Sequence, residues 1–453
     1  MAELIVSVSG VRGIIGETLT PEIALRFGQA LGYLLRQNAP SSAVNVALGR
    51  DSRISGPMLA GAMAAGLLST GVNVTDLGIA TTPTIALMGR FLKAQAAVVI
   101  TASHNPGQYN GIKFLRHDGI AMPAEAIAQL HQLFKTESFA CQSVEKLGLL
   151  TTDSRSHAHH VQTVLAHIDA KPIAANRYKV VLDSINGAGC IASPMLLGKL
   201  GAELIHINAS ADGRFAHTPE PTKENLTGLC QEVKARRAHV GFAQDPDADR
   251  LAIVDEHGTY IGEEYTLALA TLARLSVKPG TVVANLSTSR LVDDIAARHN
   301  CRVLRTPVGE ANVAARMIAE NAVIGGEGNG GVIDLRIGPV RDSLLGMALI
   351  LDLLARTNKT ISQLVAELPR YAMIKEKFTC TRAQADALVA RAKTAFSDGK
   401  VDTQDGARID WPQGWVHVRP SNTEPIARII AESTDEATAR ELIARVDRLR
   451  SDN

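Results

Sequence analysis

The chain has 453 residues, with 47 Lys+Arg against 46 Asp+Glu and a net charge of +1. That length exceeds what one hydrophobic core usually serves and implies about three domains. The balanced charge gives no electrostatic case for a nucleic-acid or membrane partner, and no apolar run approaches the length of a membrane span.

The N-terminus, MAELIVSVSGVRG, has an acid near its start and only a short apolar stretch, which argues against a secretory signal and for a cytoplasmic protein. Five scattered cysteines (Cys141, Cys190, Cys230, Cys301, Cys380) show no paired spacing and fit reduced thiols. Thr20 and Pro21 read as N-cap and first position of a helix over PEIALRFGQALGYLLRQ. A strand–helix–strand pattern then occurs three times: Val44 to Gly78, Lys179 to Ile207 and Thr281 to Leu304. Such crossovers build parallel sheets, and the continuous Val/Leu/Ile strands fit sheets covered on both faces. After each unit comes a further apolar strand with a distinctive loop: VVITASHNP, HVGFAQDPDADR and AVIGGEGNGG.

Between the first two units, His157, His159 and His160 sit in a polar stretch with no cysteine or carboxylate at ligand spacing. It reads as a solvated linker or a helix start rather than a metal site. From about Tyr371 the pattern changes to a strand, a helix, the hairpin-like DGARIDWPQGWVHVRPS, a strand and a closing helix, which is an α+β arrangement. The expected division is 1–152, 153–254, 255–368 and 369–453. The fold class is α/β, with three similar domains of mixed, mostly parallel sheets and a C-terminal α+β domain. Ligands of open α/β sheets bind at the carboxyl ends of strands, so the three loops are expected to line one central cleft.

The most specific local signal is DPDADR. Asp245, Asp247 and Asp249 at i, i+2, i+4 can converge on one hard divalent cation, for which Mg²⁺ is the natural choice. An EF-hand is disfavoured, because Arg250 stands where glycine is needed and the strand LAIVDE follows. Ser103 is not in a G-x-S-x-G elbow, and His104 is too close in sequence to serve it as base. A phosphorylated Ser103 would instead bring oxygens to complete the cation's coordination. The glycine-rich loop offers close backbone approach, with Glu327 and Asn329 to bond hydroxyls. RPSNTEPIAR (Arg419 to Arg428) offers Ser421, Asn422 and Thr423 between two arginines, a natural anion nest. Arg12 and Lys113 are single basic residues that mean little alone.

Together and in order, TASHNP, DPDADR, GEGNGG and RPSNTEP resemble the α-D-phosphohexomutase superfamily over nearly the whole chain. The resemblance implies that Ser103 carries phosphate and that Asp245, Asp247 and Asp249 bind Mg²⁺ with a phosphoserine oxygen. It places Arg12, Lys113 and Arg250 beside the transferring phosphoryl group, and His104, Glu327 and Asn329 against the sugar. Arg419, Ser421, Asn422, Thr423 and Arg428 would hold the phosphate not being transferred. Two departures stand out: Pro246 and Ala248 fill positions where many relatives have D-x-D-G-D-R or D-G-D-G-D-R, and Asn329 and Gly331 replace the serine and histidine of G-E-x-S-G-H. The implied reaction moves phosphate between C6 and C1 through a 1,6-bisphosphate, with hexose 1,6-bisphosphate as activator. The members most resembled are phosphoglucosamine mutases and phosphomannomutases. Glucosamine 6-phosphate is the expected substrate, with mannose or glucose phosphate second, acted on by a monomer or homodimer. The alternatives from other classes are a Mg²⁺-dependent sugar-phosphate phosphatase and a non-catalytic sensor.

Overall fold

The computed structural model describes residues 4–38, 43–396, 398–421 and 426–450. Four sheets follow one another along the chain. In each of the first three, two parallel strands joined by a helix pair with a third parallel strand. These are Asn45–Arg50, Asn73–Ile79 and Ala96–Ile100 in the first sheet. They are Lys179–Asp183, Glu203–Ile207 and Val240–Gln244 in the second. In the third they are Val282–Asn285, Val303–Thr306 and Ile324–Glu327. The expected repeat is therefore present in all three.

Each third strand then turns back into an antiparallel partner: Tyr109–Arg116, Leu251–Val254 or Gly331–Ile333. The serine, triple-aspartate and glycine-rich loops are thus all hairpin connections. Both stems of each hairpin are hydrogen-bonded, so the loop between them is fixed at two ends rather than one. The fourth sheet is antiparallel, in the order Ala372–Thr379, Ile426–Ser433, Gly414–Pro420, Ala407–Trp411 and Lys400–Asp402.

The cores divide differently from the sheets. The first unit has an apolar cluster on each side of its sheet, and the fourth has its own. The second and third share one large cluster. The reason is the helix Ser343–Thr357, whose residues from Ser343 to Leu354 are all buried. A helix apolar all round must be covered all round, and it packs against elements of both units.

The histidine cluster differs from expectation. His157, His159 and His160 do lie at the start of a helix, Ser156–Leu165, but His160 is fully buried. Its two ring nitrogens are satisfied by Thr84 of the first unit and Asp342 of the third, each at 2.8 Å. The polar neighbours suggested a solvated segment, yet only one face of a helix needs to meet solvent.

The helices Pro21–Asn38 and Gly56–Ser69 cross at Gly28 and Gly66, where a methyl on Gly66 would run into the Leu25 carbonyl. Gly66→Ala is expected to destabilise the chain by about 1–3 kcal/mol through overpacking, read as a lower urea midpoint at unchanged slope.

Candidate active site

The strand Ala96–Ile100 is wholly buried and ends in a loop turned by Ser103, whose φ is 49°. A left-handed conformation costs a non-glycine residue about 1–3 kcal/mol and persists only where surroundings impose it. Here the Ser103 N–H donates to Thr101 Oγ1 at 2.9 Å, and Arg53 Nη2 donates to the Ser103 carbonyl at 2.7 Å. Arg53 is 1% exposed. It also donates to the carbonyls of Asn105, Pro106 and Tyr109 at 2.6–2.9 Å, and pairs with Asp51 at 3.0 Å. One guanidinium, with five donors in a rigid fork, therefore gathers four carbonyls of the serine loop and its stem. Burial pushes the Asp51 carboxyl above its usual range, against the pull of Arg53 and the Thr101 hydroxyl.

The Ser103 hydroxyl donates to Asp245 Oδ2 at 2.8 Å, across 142 residues of sequence. Asp245, Asp247 and Asp249 are fully buried, and an oxygen from each lies within 4.8 Å of the others. Their outer oxygens are neutralised from other units. Asp247 Oδ2 accepts from Thr82 Oγ1 and from Lys113 Nζ, both at 2.6 Å. Asp249 Oδ2 accepts from Arg341 Nη2 at 2.6 Å. Asp247 Oδ1 and Asp249 Oδ1, by contrast, are buried without a hydrogen-bond partner. Two orphaned carboxylate oxygens beside a third carboxylate are a donor set for a hard cation.

The electrostatics agree with this division. Burial and the neighbouring Asp247 and Asp249 push the Asp245 carboxyl well up. Burial would raise Asp247 too, but the Lys113 ammonium overrides it and holds Asp247 far below its usual range. Reciprocally, Lys113 keeps its proton: burial works against the charge, and Asp247 and Asp249 outweigh it. Between Asp247 and Asp249, Ala248 adopts a left-handed backbone with φ 53°. Glycine adopts that conformation most easily; alanine accepts a modest steric cost and the loop keeps its path.

Above these groups lies a cavity of about 610 Å³ that draws on all four units. Arg12 and His104 line it from the first, Arg250 from the second, Glu327 and Asn329 from the third, and Arg419 and Arg428 from the fourth. The Arg250 guanidinium, burial and Arg12 hold the His104 imidazole down at about 2. Glu327 accepts from Asn285 Nδ2 at 2.8 Å, Gly309 N at 3.0 Å and Arg341 Nη1 at 2.9 Å. Asp405 ties the fourth unit to this wall, pairing with Arg419 Nε at 3.0 Å while accepting from Val308 N at 3.0 Å.

Four family descriptions match in order: phosphoglucomutase/phosphomannomutase alpha/beta/alpha domain I over residues 4–140, domain II over 157–258, domain III over 262–371 and the C-terminal domain over 375–449. A phosphoglucomutase/phosphomannomutase of Thermococcus kodakarensis is 42% identical over 96% of this chain and 95% of its own length. The chain belongs to the phosphoglucomutase/phosphomannomutase family. It is a phosphohexomutase, an isomerase that acts as an intramolecular phosphotransferase. A probable phosphoglucosamine mutase of Methanopyrus kandleri is 37% identical over 96% of this chain and 95% of its own. Among solved structures, a phosphoglucomutase/phosphomannomutase family protein of Burkholderia thailandensis superposes with a TM-score of 0.87 at 29% identity, covering 98% of this chain and 96% of its own. A putative phosphomannomutase of Thermus thermophilus gives 0.84 at 26%, covering 99% of each chain.

The phosphohexomutase thus brings Ser103, Lys113 and the three aspartates together beneath the cavity, and Arg12, His104, Arg250, Glu327, Asn329, Arg419 and Arg428 around it. Ser421 follows the strand Gly414–Pro420, its N–H bonded to the Ile426 carbonyl at 2.9 Å. Asn422 and Thr423 lie outside the described residues. Sequence reasoning missed Arg53, Thr82, Arg341 and Asp405, and also the cavity-lining Glu263, Glu264 and Lys375. The available signals were slight: charged residues at a strand end, in GRDSR, and just before an apolar helix, in PVRDSLLG.

Two outcomes are expected. Arg53→Lys replaces the fork with a point charge and releases the serine loop, so kcat should fall on the order of 100-fold with KM little changed, in steady-state kinetics. In the unfolded chain His104 takes up a proton below its usual 6.5, whereas the folded value is about 2. The unfolded state therefore binds more protons across that window, and stability is lost as pH falls through it. The Tm of His104→Gln should fall less steeply than that of the parent between about pH 7 and 5.

Proposed function

We propose that this phosphohexomutase moves phosphate between C6 and C1 of a hexose phosphate through phosphorylated Ser103 and a sugar 1,6-bisphosphate. The observation that carries the reading is the Ser103 hydroxyl at 2.8 Å from Asp245, beside the two orphaned oxygens of Asp247 and Asp249 and beneath a four-sided cavity. Asp245, Asp247 and Asp249 hold the cation, and an all-oxygen donor set suits Mg²⁺. When bound, the cation supplies charge stabilisation to the transferring phosphoryl oxygens.

In the first half-reaction the P–O bond to Ser103 Oγ breaks and one to the sugar hydroxyl forms. The hydroxyl proton is lost and Oγ gains one. Lys113, which holds its proton, would donate it to the departing Oγ and recover one from the sugar hydroxyl, and Arg12 and Arg250 would neutralise the phosphoryl charge. The bisphosphate turns in the cavity, and the second half-reaction returns the other phosphate to Ser103. Arg419 and Arg428, with the loop at Ser421, hold whichever phosphate is idle, while Glu327 and Asn329 face the ring. Hexose 1,6-bisphosphate therefore serves as activator, since it phosphorylates an empty Ser103.

The reading places glucose and mannose phosphates first and glucosamine phosphate second, the reverse of the order expected from sequence. An ammonium at C2 would seek a carboxylate; of those lining the cavity, Glu327 already accepts hydrogen bonds on both oxygens and Glu263 and Glu264 pair with Lys375 at 2.7 and 3.3 Å, which leaves the exposed Glu220 and Glu376. The 42% identity to a phosphoglucomutase/phosphomannomutase supports the same order. The comparisons lend no support to a phosphatase.

Ser103→Ala is expected to abolish a gain of about 80 Da in intact mass and to lower kcat by at least about 1000-fold. Full activity in that variant refutes the mechanism. In a coupled assay primed with glucose 1,6-bisphosphate, kcat/KM for glucose 1-phosphate or mannose 1-phosphate should exceed that for glucosamine 1-phosphate; the opposite ranking restores the glucosamine assignment.

A further inference from the structure

His160 touches no group placed in the reaction, yet it stands behind the triple-aspartate loop where three units meet. The loop belongs to the second unit and is gripped from both sides. From the first unit comes the N-terminus of the helix Thr82–Phe91: Thr82 N donates to the Asp247 carbonyl at 3.0 Å and Thr82 Oγ1 to Asp247 Oδ2 at 2.6 Å. From the third comes the triplet before and at the start of the helix Ser343–Thr357. Arg341 reaches Asp249 Oδ2 at 2.6 Å, and Ser343 Oγ donates to the Ala248 carbonyl at 2.7 Å.

His160 joins the two grips. Its Nδ1 meets Thr84 Oγ1, two residues after Thr82 in the same first turn, and its Nε2 meets Asp342 Oδ2, between Arg341 and Ser343. One proton assignment satisfies the whole chain: Thr81 hydroxyl to Thr84 oxygen, Thr84 hydroxyl to His160 Nδ1, and His160 Nε2–H to Asp342 Oδ2. Asp342 Oδ1 then caps its own helix, accepting from Leu344 N and Leu345 N at 2.9 and 3.3 Å. All four residues are buried. A buried polar chain of this kind has no slack, because each missing partner leaves another group unsatisfied.

We infer that His160 is a positioning residue for the cation site, setting the distance between the two grips that hold Asp247 and Asp249. The inference rests on the proposed assignment of the aspartates as cation ligands. It predicts that the imidazole governs cation affinity and leaves sugar-phosphate binding alone, which a general packing role does not.

The test is calorimetric titration of the full-length protein with Mg²⁺ alone, alongside KM for glucose 1-phosphate. His160→Asn keeps a polar group near the Nδ1 position and His160→Gln one near Nε2, so each retains one of the two bonds. Both should weaken Mg²⁺ binding by up to about 10-fold, the lower end of what loss of a metal ligand's direct outer partner costs, with KM changed less than about twofold. His159→Gln, on the partly exposed side of the same helix, should bind Mg²⁺ as the parent does. Unchanged Mg²⁺ affinity in the folded His160 variants overturns the inference. If neither folds, Thr84→Val, which removes one hydroxyl of the chain, decides: parental affinity overturns it and weakened affinity upholds it. Asp247→Asn separates the two levels. If it binds Mg²⁺ like the parent, the ligand assignment itself fails; if it loses binding while the His160 variants do not, only the role of His160 fails.

Discussion

Three carboxylates packed out of water at one point are the constraint on which the rest of this molecule depends. Unit charges 4 to 5 Å apart repel by about 3–4 kcal/mol at the effective dielectric typical of protein sites, and desolvation adds to that. The second unit, which carries Asp245, Asp247 and Asp249, does not neutralise them by itself. Lys113 and Thr82 arrive from the first unit and Arg341 from the third, all on the outer oxygens. The inner oxygens of Asp247 and Asp249 have no hydrogen-bond partner, and the nearest cation to the latter, Arg250 Nε, is 4.0 Å away. Folding of the separate sheets thus leaves a charge problem that their assembly reduces, and the oxygens left over are a donor set for a cation.

The cavity above inherits this arrangement. Its lining combines cationic groups of the first two units (Arg12, Arg250), hydrogen-bonding groups of the third (Glu327, Asn329) and two arginines of the fourth (Arg419, Arg428). Such a lining suits a ligand that is both anionic and hydroxylated. The walls are also linked. Val308 N reaches Asp405, which pairs with Arg419, while the adjacent Gly309 N reaches Glu327. Two successive peptide N–H groups therefore connect the fourth unit's arginine to the third unit's carboxylate, and displacement of one is felt at the other.

The parts legible in sequence were those written locally. An apolar strand followed by a polar turn declares itself within ten residues, and three aspartates at alternate positions in a loop have few other uses. Positioning residues are written non-locally. Arg53 in GRDSR is indistinguishable from a solvated surface arginine until carbonyls some 50 residues away converge on it. Arg341 acquires meaning from a contact spanning 92 residues. His160 was misread for the same reason: its sequence neighbours are polar, and its partners lie 76 and 182 residues away. Ala248 shows the converse, since a departure from the common motif proves compatible with the loop once its φ is known.

The distribution of cores decides which alignment is rigid. The second and third units share one apolar core through the helix Ser343–Thr357, so Arg341 and Ser343 ride on the same body as the aspartates they hold. The first unit's larger core is its own, although Val340 of the third unit enters its smaller cluster and the Phe91 ring lies 4.1 Å from that of His159 in the second; at the serine loop the first unit meets the second through polar contacts: Ser52 Oγ to the Asn186 carbonyl at 2.7 Å, Thr82 to Asp247, and Ser103 to Asp245. Apolar area is tolerant of small sliding, whereas a hydrogen bond is lost within a few tenths of an ångström. Ser103 is thereby brought to the three aspartates by the more exacting kind of contact, and buried polar groups set the register between serine loop and aspartates.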